Sequence, residues 1–481
     1  MFELKVKESF PWWRKYIFPI YNKEIPKFLL FMIIYFGLIL SYHLCKILNN
    51  FIVFTSTKIV NSQTYFVNGF EVPIIIQGFF FSLLYINISR KYSPYKSFLY
   101  FFIPSIVCLI FSVIFVKYIH LLHISPVTVK NLLHIPILDY FVWIIVYWVY
   151  YLNGFCGDII GVLLLQSIFW QLANLYSSYD EKKRFYPLYF ICFYVVNMIF
   201  IPSTPVPVRS INHITLIVLI LFFIAVIIVA ALTYLFKVVL KNSLYEENFL
   251  HNYTEKPYKN FNIINLKYPS PLIWSCFLPL FYSLCSTCML VIWDLQVFKL
   301  GINKTTISFF MIKYKYTFFF IGFLFTFVGS YLVRKVSWFY FAMIAPILII
   351  VMSSCFFFIS YPIIMNFLQK IFHINSLWWI MMIGTVVIVI MDSSKLLLLD
   401  LPVQIFIGSQ NRNNMIQVQS LAIIFYSFQK ISHEILGILI KSVNTPMTSF
   451  LWFFVIFLCL LWIYVILQIN KEMVVIEDKN S

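Results

Sequence analysis

Apolar positions in this chain fall in long blocks, and short clusters of proline, asparagine and charge separate the blocks. Wound as a helix, a block of about 20 apolar residues matches the hydrocarbon thickness of a bilayer. Breaking the chain at those clusters predicts spans near 27–50, 62–88, 97–120, 138–176, 186–204 and 212–240. A further set is predicted near 270–298, 306–333, 339–366, 376–408, 416–440 and 448–469. The polar stretch KNSLYEENFLHNYTEKPYKNFN, 241–262, divides the two sets. The fourth and tenth blocks are long, so each is expected to be either a tilted, extended helix or a broken one.

The two sets correspond. ISRKYSPY follows the second block and LVRKVSWF follows the eighth, which places Arg90-Lys91 and Arg334-Lys335 244 residues apart. The first and seventh blocks share a similar offset. Parallel six-helix halves joined by a polar linker are the plan of major-facilitator carriers, whose substrate site lies between the halves at the membrane midplane. The expected fold class is an all-α membrane protein of about 12 transmembrane helices in two six-helix halves, major-facilitator-like. The expected organisation is an amphipathic cytoplasmic N-terminus (1–26), a first half (27–240), a cytoplasmic linker (241–269), a second half (270–470) and a cytoplasmic tail (471–481).

Composition agrees and excludes soluble classes. Of 481 residues, 62% are hydrophobic and 11% charged, against about 25% charged in an average soluble domain. With the N-terminus inside, the inside segments carry 22 Lys and Arg, among them Arg14, Lys15, Lys182, Lys183, Arg184 and Lys259. The outside loops carry 8, such as Lys58, Arg209 and Lys304. That asymmetry predicts cytoplasmic termini, a cytoplasmic linker and a cell-membrane location. Asp180-Glu181-Lys182-Lys183-Arg184 is then expected to cap the loop between the fourth and fifth spans from the cytoplasmic side. The formal net charge of +17 is spread over short loops, which argues for anionic lipid heads and against nucleic acid. The N-terminus lacks a short apolar core followed by a small-residue cleavage site, so no cleaved signal peptide is expected.

Charges inside the blocks are the candidate chemistry. The basic ones are Lys46, Lys313, Lys315, Lys395 and Lys430, and the acidic ones in or near spans include Asp158, Asp294, Asp392, Asp400 and Glu434. Facing lipid at mid-helix, each costs about 2.5–3.5 kcal/mol, so each is expected to face the interior. Gln419, Tyr426, Lys430 and Glu434 share one face of the eleventh span, and Asp158 and Gln166 share an arc of the fourth. Asp392 and Lys395 are i, i+3 neighbours and can pair. Lys313 and Lys315 point about 200° apart, so an intact helix aims only one of them at a given cavity. Ammonium groups around a midplane cavity suit a phosphate-bearing anion. The same charges can instead neutralise one another as structural pairs, or snorkel to an interface. Asp158 is a lone mid-span carboxylate beside Gly157 and Gly161.

Enzyme motifs are missing: there is no GxxxxGK[ST], HExxH or GxSxG, and no cofactor or metal is expected. Cys285 and Cys288 form a lone CxxC inside an apolar block and are read as small packing residues. His120, His123 and His134 lie in one outside segment at irregular spacing.

The stretch FWQLANLYSSYDEKKRFYP, 169–187, resembles the FWQ-x-AN…EAKRFY signature of the non-mitochondrial ATP/ADP translocases. These are the nucleotide transporters of obligate intracellular bacteria, plastids and microsporidia. RKYIFPIYNKEIPKFL is similar to that family's RK-x-I-W-P-I-E opening, and VRKVSWFYFAMIAP, 333–346, to its LRKVSW…AMI-x-P segment. SSKLLLLD, 393–400, is similar to its K-Y-S-L-F-D segment. The resemblance implies a nucleotide carrier, ATP/ADP exchange by default, with a nucleotide and the bilayer as partners and a monomer as the expected state. It implies Asp158 where the family has a functionally important glutamate, and Lys395 and Asp400 as the lysine and aspartate of the tenth span. Lys395, Lys430 and one of Lys313 or Lys315 would then meet phosphates, and Asp158 would gate or pair with a lysine.

The chain also departs from the family. A Lys-Asp pair after the first span reads Asn49-Asn50, a glutamate ahead of the seventh-span tryptophan reads Leu290, and R-V-K-G-Q reads Met415 to Gln419. Lys313 and Lys315 stand where uncharged glutamine is expected. Those changes keep three alternatives open: proton-coupled uptake, a broader organic-anion importer, and a transport-inactive relative.

Overall fold

The computed structural model describes residues 14, 17–59, 71–117, 148–200, 211–239, 270–299, 304–359, 400–408, 414–424 and 447–480, with isolated residues between 364 and 390. Among them the chain is helical and has no strand. The first half comprises α1 (Ile25–Ile59), α2 (Glu71–Lys91) and α3 (Pro94–Lys117). It continues with α4 (Trp148–Asp158, Ile159–Ile168 and Phe169–Tyr176 in succession), α5 (Tyr179–Phe200) and α6 (Ile211–Tyr234, continued by Leu235–Val239). The second half comprises α7 (Ser270–Lys299), α8 (Lys304–Lys335), α9 (Trp338–Ile359), α10 (Leu401–Gly408), α11 (Asn414–Ile424) and α12 (Met447–Asn480). Helices α10 and α11 are the described parts of the tenth and eleventh predicted spans. Lys395, Lys430 and Glu434 lie outside the described residues, as does the linker.

Local sequence explains where the helices turn. Tyr92 N–H donates to Ile88 O, and Ser97 N–H to Ser93 O, around a turn closed by Pro94 at the first position of α3. Val336 N–H donates to Leu332 O and Phe341 N–H to Ser337 O, all four partners shifted by the same 244 residues. The repeat in sequence is therefore a repeat in hydrogen bonding. Helix α12 shows the membrane pattern in its simplest form. Phe450, Phe453, Phe457, Leu460, Tyr464 and Leu467 are exposed at alternating steps of three and four, while Leu451, Val455, Leu458, Trp462 and Val465 are buried. An apolar stripe facing outward at helical period is what a lipid-facing helix requires.

Helices α1, α4, α5 and α6 pack together with α3, and α7 and α9 pack on α12. Between halves, α8 lies along α5, and α10 touches the end of α4 and α5.

Two expectations need correction. Helix α4 is continuous within its described part, as the extended alternative expected, but Ile159–Ile168 wind as a π-helix inside it. The arc joining Asp158 to Gln166 assumed 3.6 residues per turn and does not hold across that stretch, where Gln166 is exposed. DEKKR is not a loop cap either. It forms the first turn of α5, begun by a reciprocal capping box in which Glu181 Oε2 accepts from Ser178 N–H (2.7 Å) and Ser178 Oγ accepts from Glu181 N–H (3.3 Å).

Candidate functional site

Asp158 sits where α4 changes from α to π winding, a form that recurs at functional positions. Gln77 on α2 donates its Nε2–H to Asp158 Oδ2 at 3.2 Å. Phe81 and Phe155 hold those helices together one turn away, ring centroids 5.1 Å apart. On the α1 side, Asn153 donates to Cys45 O (3.4 Å), and Gly161 admits the Tyr42 ring so closely that a Cβ there would lie 2.5 Å from it. Lys46 Nζ stands 4.4 Å over the same Tyr42 ring. A carboxylate held by an amide, with an ammonium group on the neighbouring helix, can bind a proton or a cation, or pair with a lysine that a substrate later claims.

Toward the Arg-Lys end of the bundle the polar groups are neutral and bridge the halves. Tyr85 of α2 lies in hydrogen-bond contact with Gln171 Oε1 of α4 (3.3 Å) and with Gln419 Oε1 of α11. One turn along α4, Asn174 donates to Gln404 Oε1 of α10 (3.4 Å) and accepts from Tyr186 O–H (2.6 Å). Deeper in the bundle α5 meets α8, where Phe193 contacts Phe319 and the buried Tyr194 ring fills the space a Gly322 side chain would take.

The five-charge cluster serves the first half internally. Glu181 and Lys182 are both buried, and Glu181 forms a buried ion pair with Lys27 of α1 at 2.9 Å. Arg184 pairs with Glu24 and lies 4.7 Å over the Tyr21 ring. Lys182 stands ahead of the apolar part of α5; burial pushes its ammonium down to about 8, with Glu181 opposing and Lys27 reinforcing. At the end of α8, burial and then the facing Arg184 pull Arg334 below its ordinary value, while its Nε–H donates to Ser330 O at 2.7 Å.

Of the sequence-derived candidates, Asp158 has the surroundings just given. Asp400 stands immediately before α10. Lys313 and Lys315 lie on α8, with their side chains outside the description, and Lys395 and Lys430 lie outside altogether. Sequence reasoning missed Gln77, Tyr85, Gln171, Asn174 and Gln404. Their signal was an isolated amide or hydroxyl in an otherwise apolar helix.

A family model described as TLC ATP/ADP transporter matches residues 4–473. The chain belongs to that family. Over 97% of both chains it is 23% identical to ADP,ATP carrier protein 1 of Rickettsia prowazekii. It is 28% identical to ADP,ATP carrier protein 4 of Rickettsia conorii over 192 residues, so the match spans 38% of this chain and only 36% of that carrier's length. In fold it is similar to a bacterial homologue of the iron transporter ferroportin, with a TM-score of 0.56 at 13% identity over 92% of this chain and 99% of that one. The major-facilitator transporter FucP gives 0.50 at 12% identity, covering 94% and 99%. The chain is thus a membrane-spanning protein of major-facilitator-like fold.

Within this TLC chain, the stretches that carried the resemblance touch one another. In the first half, Arg14, Tyr21 and Glu24 of the opening segment gather around Asn22 and Arg184. In the second, the Trp338 Nε1–H of VRKVSW donates to Pro402 O (2.8 Å), two residues beyond SSKLLLLD. Phe169 and Trp170 of FWQ pack with Tyr35 and Tyr189 in the buried aromatic core of the first half. Cys285 meets Cys459 of α12, sulfur to sulfur at 3.8 Å, as a packing contact between α7 and α12.

Proposed function

We propose that this chain carries nucleotides across a cell membrane by alternating access, with ATP-for-ADP exchange as the default. The observation that carries this is the seam between halves: in a chain of this family, α2 meets α11, α5 meets α8, and α4 meets α10 near one end of the bundle. A carrier needs just such contacts, able to form at one end while the other end admits substrate. Asp158, Asp400, Lys395, Lys430 and one of Lys313 or Lys315 are the residues assigned to substrate and coupling, the lysines at phosphate oxygens. The excess of Lys and Arg at the Arg-Lys end supports a cytoplasmic location for that end and for both termini. The chain acts as a carrier monomer and performs no covalent chemistry.

Proton-coupled uptake is the second reading, favoured by the amide-held carboxylate of Asp158. The test is uptake of labelled ATP into cells expressing the chain, with and without preloaded nucleotide, beside Lys395→Ala and Asp158→Asn at matched surface levels. Exchange requires uptake stimulated by internal nucleotide and lost in both variants. Uptake indifferent to internal nucleotide but driven by an inward proton gradient selects the second reading. No uptake of any nucleotide by correctly folded protein overturns both.

A further inference from the structure

We propose that Gln171 and Asn174 of FWQLAN, with Tyr85, Gln404 and Gln419, form a neutral latch that closes the two halves at the Arg-Lys end and releases in every transport cycle. The proposal rests on the alternating-access reading above.

Proton supply decides how the latch is wired. A tyrosine hydroxyl has one proton to give, yet Tyr85 faces two amide oxygens, Gln171 Oε1 and Gln419 Oε1. The Nε2 groups of both glutamines are buried and have no partner. Turning the Gln171 amide by 180° lets its Nε2–H donate to the Tyr85 oxygen while Tyr85 O–H donates to Gln419 Oε1. The result is a one-way relay from α4 through α2 into α11. One turn further, Tyr186 donates to Asn174 Oδ1 while the Asn174 amide donates to Gln404 of α10. Turning the Gln419 amide instead reverses the first relay and joins the halves equally, whereas the second relay ends on Gln404 of the second half.

One donor stays unpartnered in either wiring, because only one of the two glutamine Nε2 groups finds an acceptor among the described residues. A buried donor without an acceptor opposes the state that buries it, and water satisfies it once the seam opens. The seam is therefore held by cross-half hydrogen bonds and opposed by its own desolvation, which leaves the closed end poised. The latch side chains themselves carry no charge, while Arg184 of α5 faces Arg334 of α8 across the same seam, so salt acts on the seam through that like-charged pair and not through the latch. The latch also lies within about two turns of the ends of α2 and α4. The Phe193–Phe319 and Tyr194–Gly322 contacts lie deeper and suit a pivot on which the latch opens.

The test places cysteines at Asn174→Cys and Gln404→Cys in the full chain in proteoliposomes. They are joined by a short thiosulfonate linker, and the linked peptide is identified by mass spectrometry. The latch requires that linkage stop nucleotide exchange and that reductant restore it. Tyr85→Phe, which keeps the ring and removes the shared hydroxyl, should lower the linkage yield by roughly two- to tenfold, the ratio one net hydrogen bond represents. Gln419→Leu serves as the second variant should Tyr85→Phe fold poorly. Linked protein that exchanges at the unlinked rate overturns the proposal, because the contact would then be static packing. Should the unlinked protein carry no nucleotide, the transport reading fails. The latch is then decided by linkage yield alone: a fall in Tyr85→Phe and Gln419→Leu upholds it, and an unchanged yield refutes it.

Discussion

The seam between α1 and α5 and the seam between the two halves lie near the same end of the bundle, yet they are built from different chemistry. The first uses full charges, Lys27 with Glu181 and Glu24 with Arg184, in buried or half-buried pairs. The second is joined by neutral groups, Gln171, Asn174, Gln404, Gln419 and two tyrosines, and among the described residues its charged contact, Arg184 facing Arg334, is repulsive. A buried charge that loses its partner is very costly, whereas a neutral amide exchanges a protein partner for water at little net cost. On the alternating-access reading, contacts inside a half can be ionic because they need not open, and contacts between halves must be cheap to break.

The largest expected effect comes from breaking the ionic seam. Glu181→Ala leaves Lys27 buried without its carboxylate and removes one side of the α5 capping box, and should cost about 3–5 kcal/mol. Thermal unfolding in detergent checks this, and the double variant Lys27→Met/Glu181→Leu should recover most of the loss. An undiminished melting temperature in Glu181→Ala would show that the pair is not stabilising the α1–α5 seam.

Lys182 gives the next effect, with a sign that pH reveals. Its folded-state value of about 8 lies below its ordinary 10.5, so between those values the unfolded chain binds more protons and stability rises with pH. Below pH 8 the group is charged in both states and the penalty is constant. Lys182→Met should therefore be more stable than the parent at pH 7, by up to about 3 kcal/mol, with the difference shrinking from pH 8 upward and vanishing only above about pH 10.5. A difference that is flat from pH 7 to 10 would mean that Lys182 is not held down by burial.

How much of this was legible in the sequence follows the same divide. The 244-residue offset of the Arg-Lys turns returns as matched backbone hydrogen bonds, so the two-half plan could be read from local motifs. The apolar blocks carried the fold for the same reason, since composition over about 20 residues decides a span. Pairings between distant helices have no such local signature. Gln77 meets Asp158 across 81 residues and Tyr85 meets Gln419 across 334. Sequence reasoning weighed the lysines and carboxylates because their cost in lipid is large, and so passed over the neutral amides. The π winding after Asp158 also escaped it, because a 3.6-residue period was assumed through a stretch that does not keep it.

At the pivot, a single methyl group tests the inter-half seam sterically. A Cβ on Gly322 would lie 2.1 Å from Tyr194 Cε1, and Tyr194 is fully buried with no free space to yield into. Gly322→Ala should cost about 1–3 kcal/mol by overpacking and should slow transport by holding α5 and α8 apart. Adding Tyr194→Leu should restore both readings, melting temperature and transport rate. Failure of that rescue would place the defect in α8 itself.

The smallest expected effect separates anchoring from gating on α10. Helix α10 faces α9 through Pro402 O, which accepts from Trp338, and faces the other half through Gln404. Trp338→Phe keeps a ring against Phe406 but removes the N–H, and should cost about 1 kcal/mol. Because Gln404 is two residues from Pro402, a loosened anchor should blur the position of the latch as well as weaken the half. Trp338→Phe is therefore expected to lower the Asn174–Gln404 linkage yield more than an equally destabilising change elsewhere in α9. Equal yields at equal melting temperature would show that α10 is held by the other half alone, and that the second half contributes no anchor to the latch.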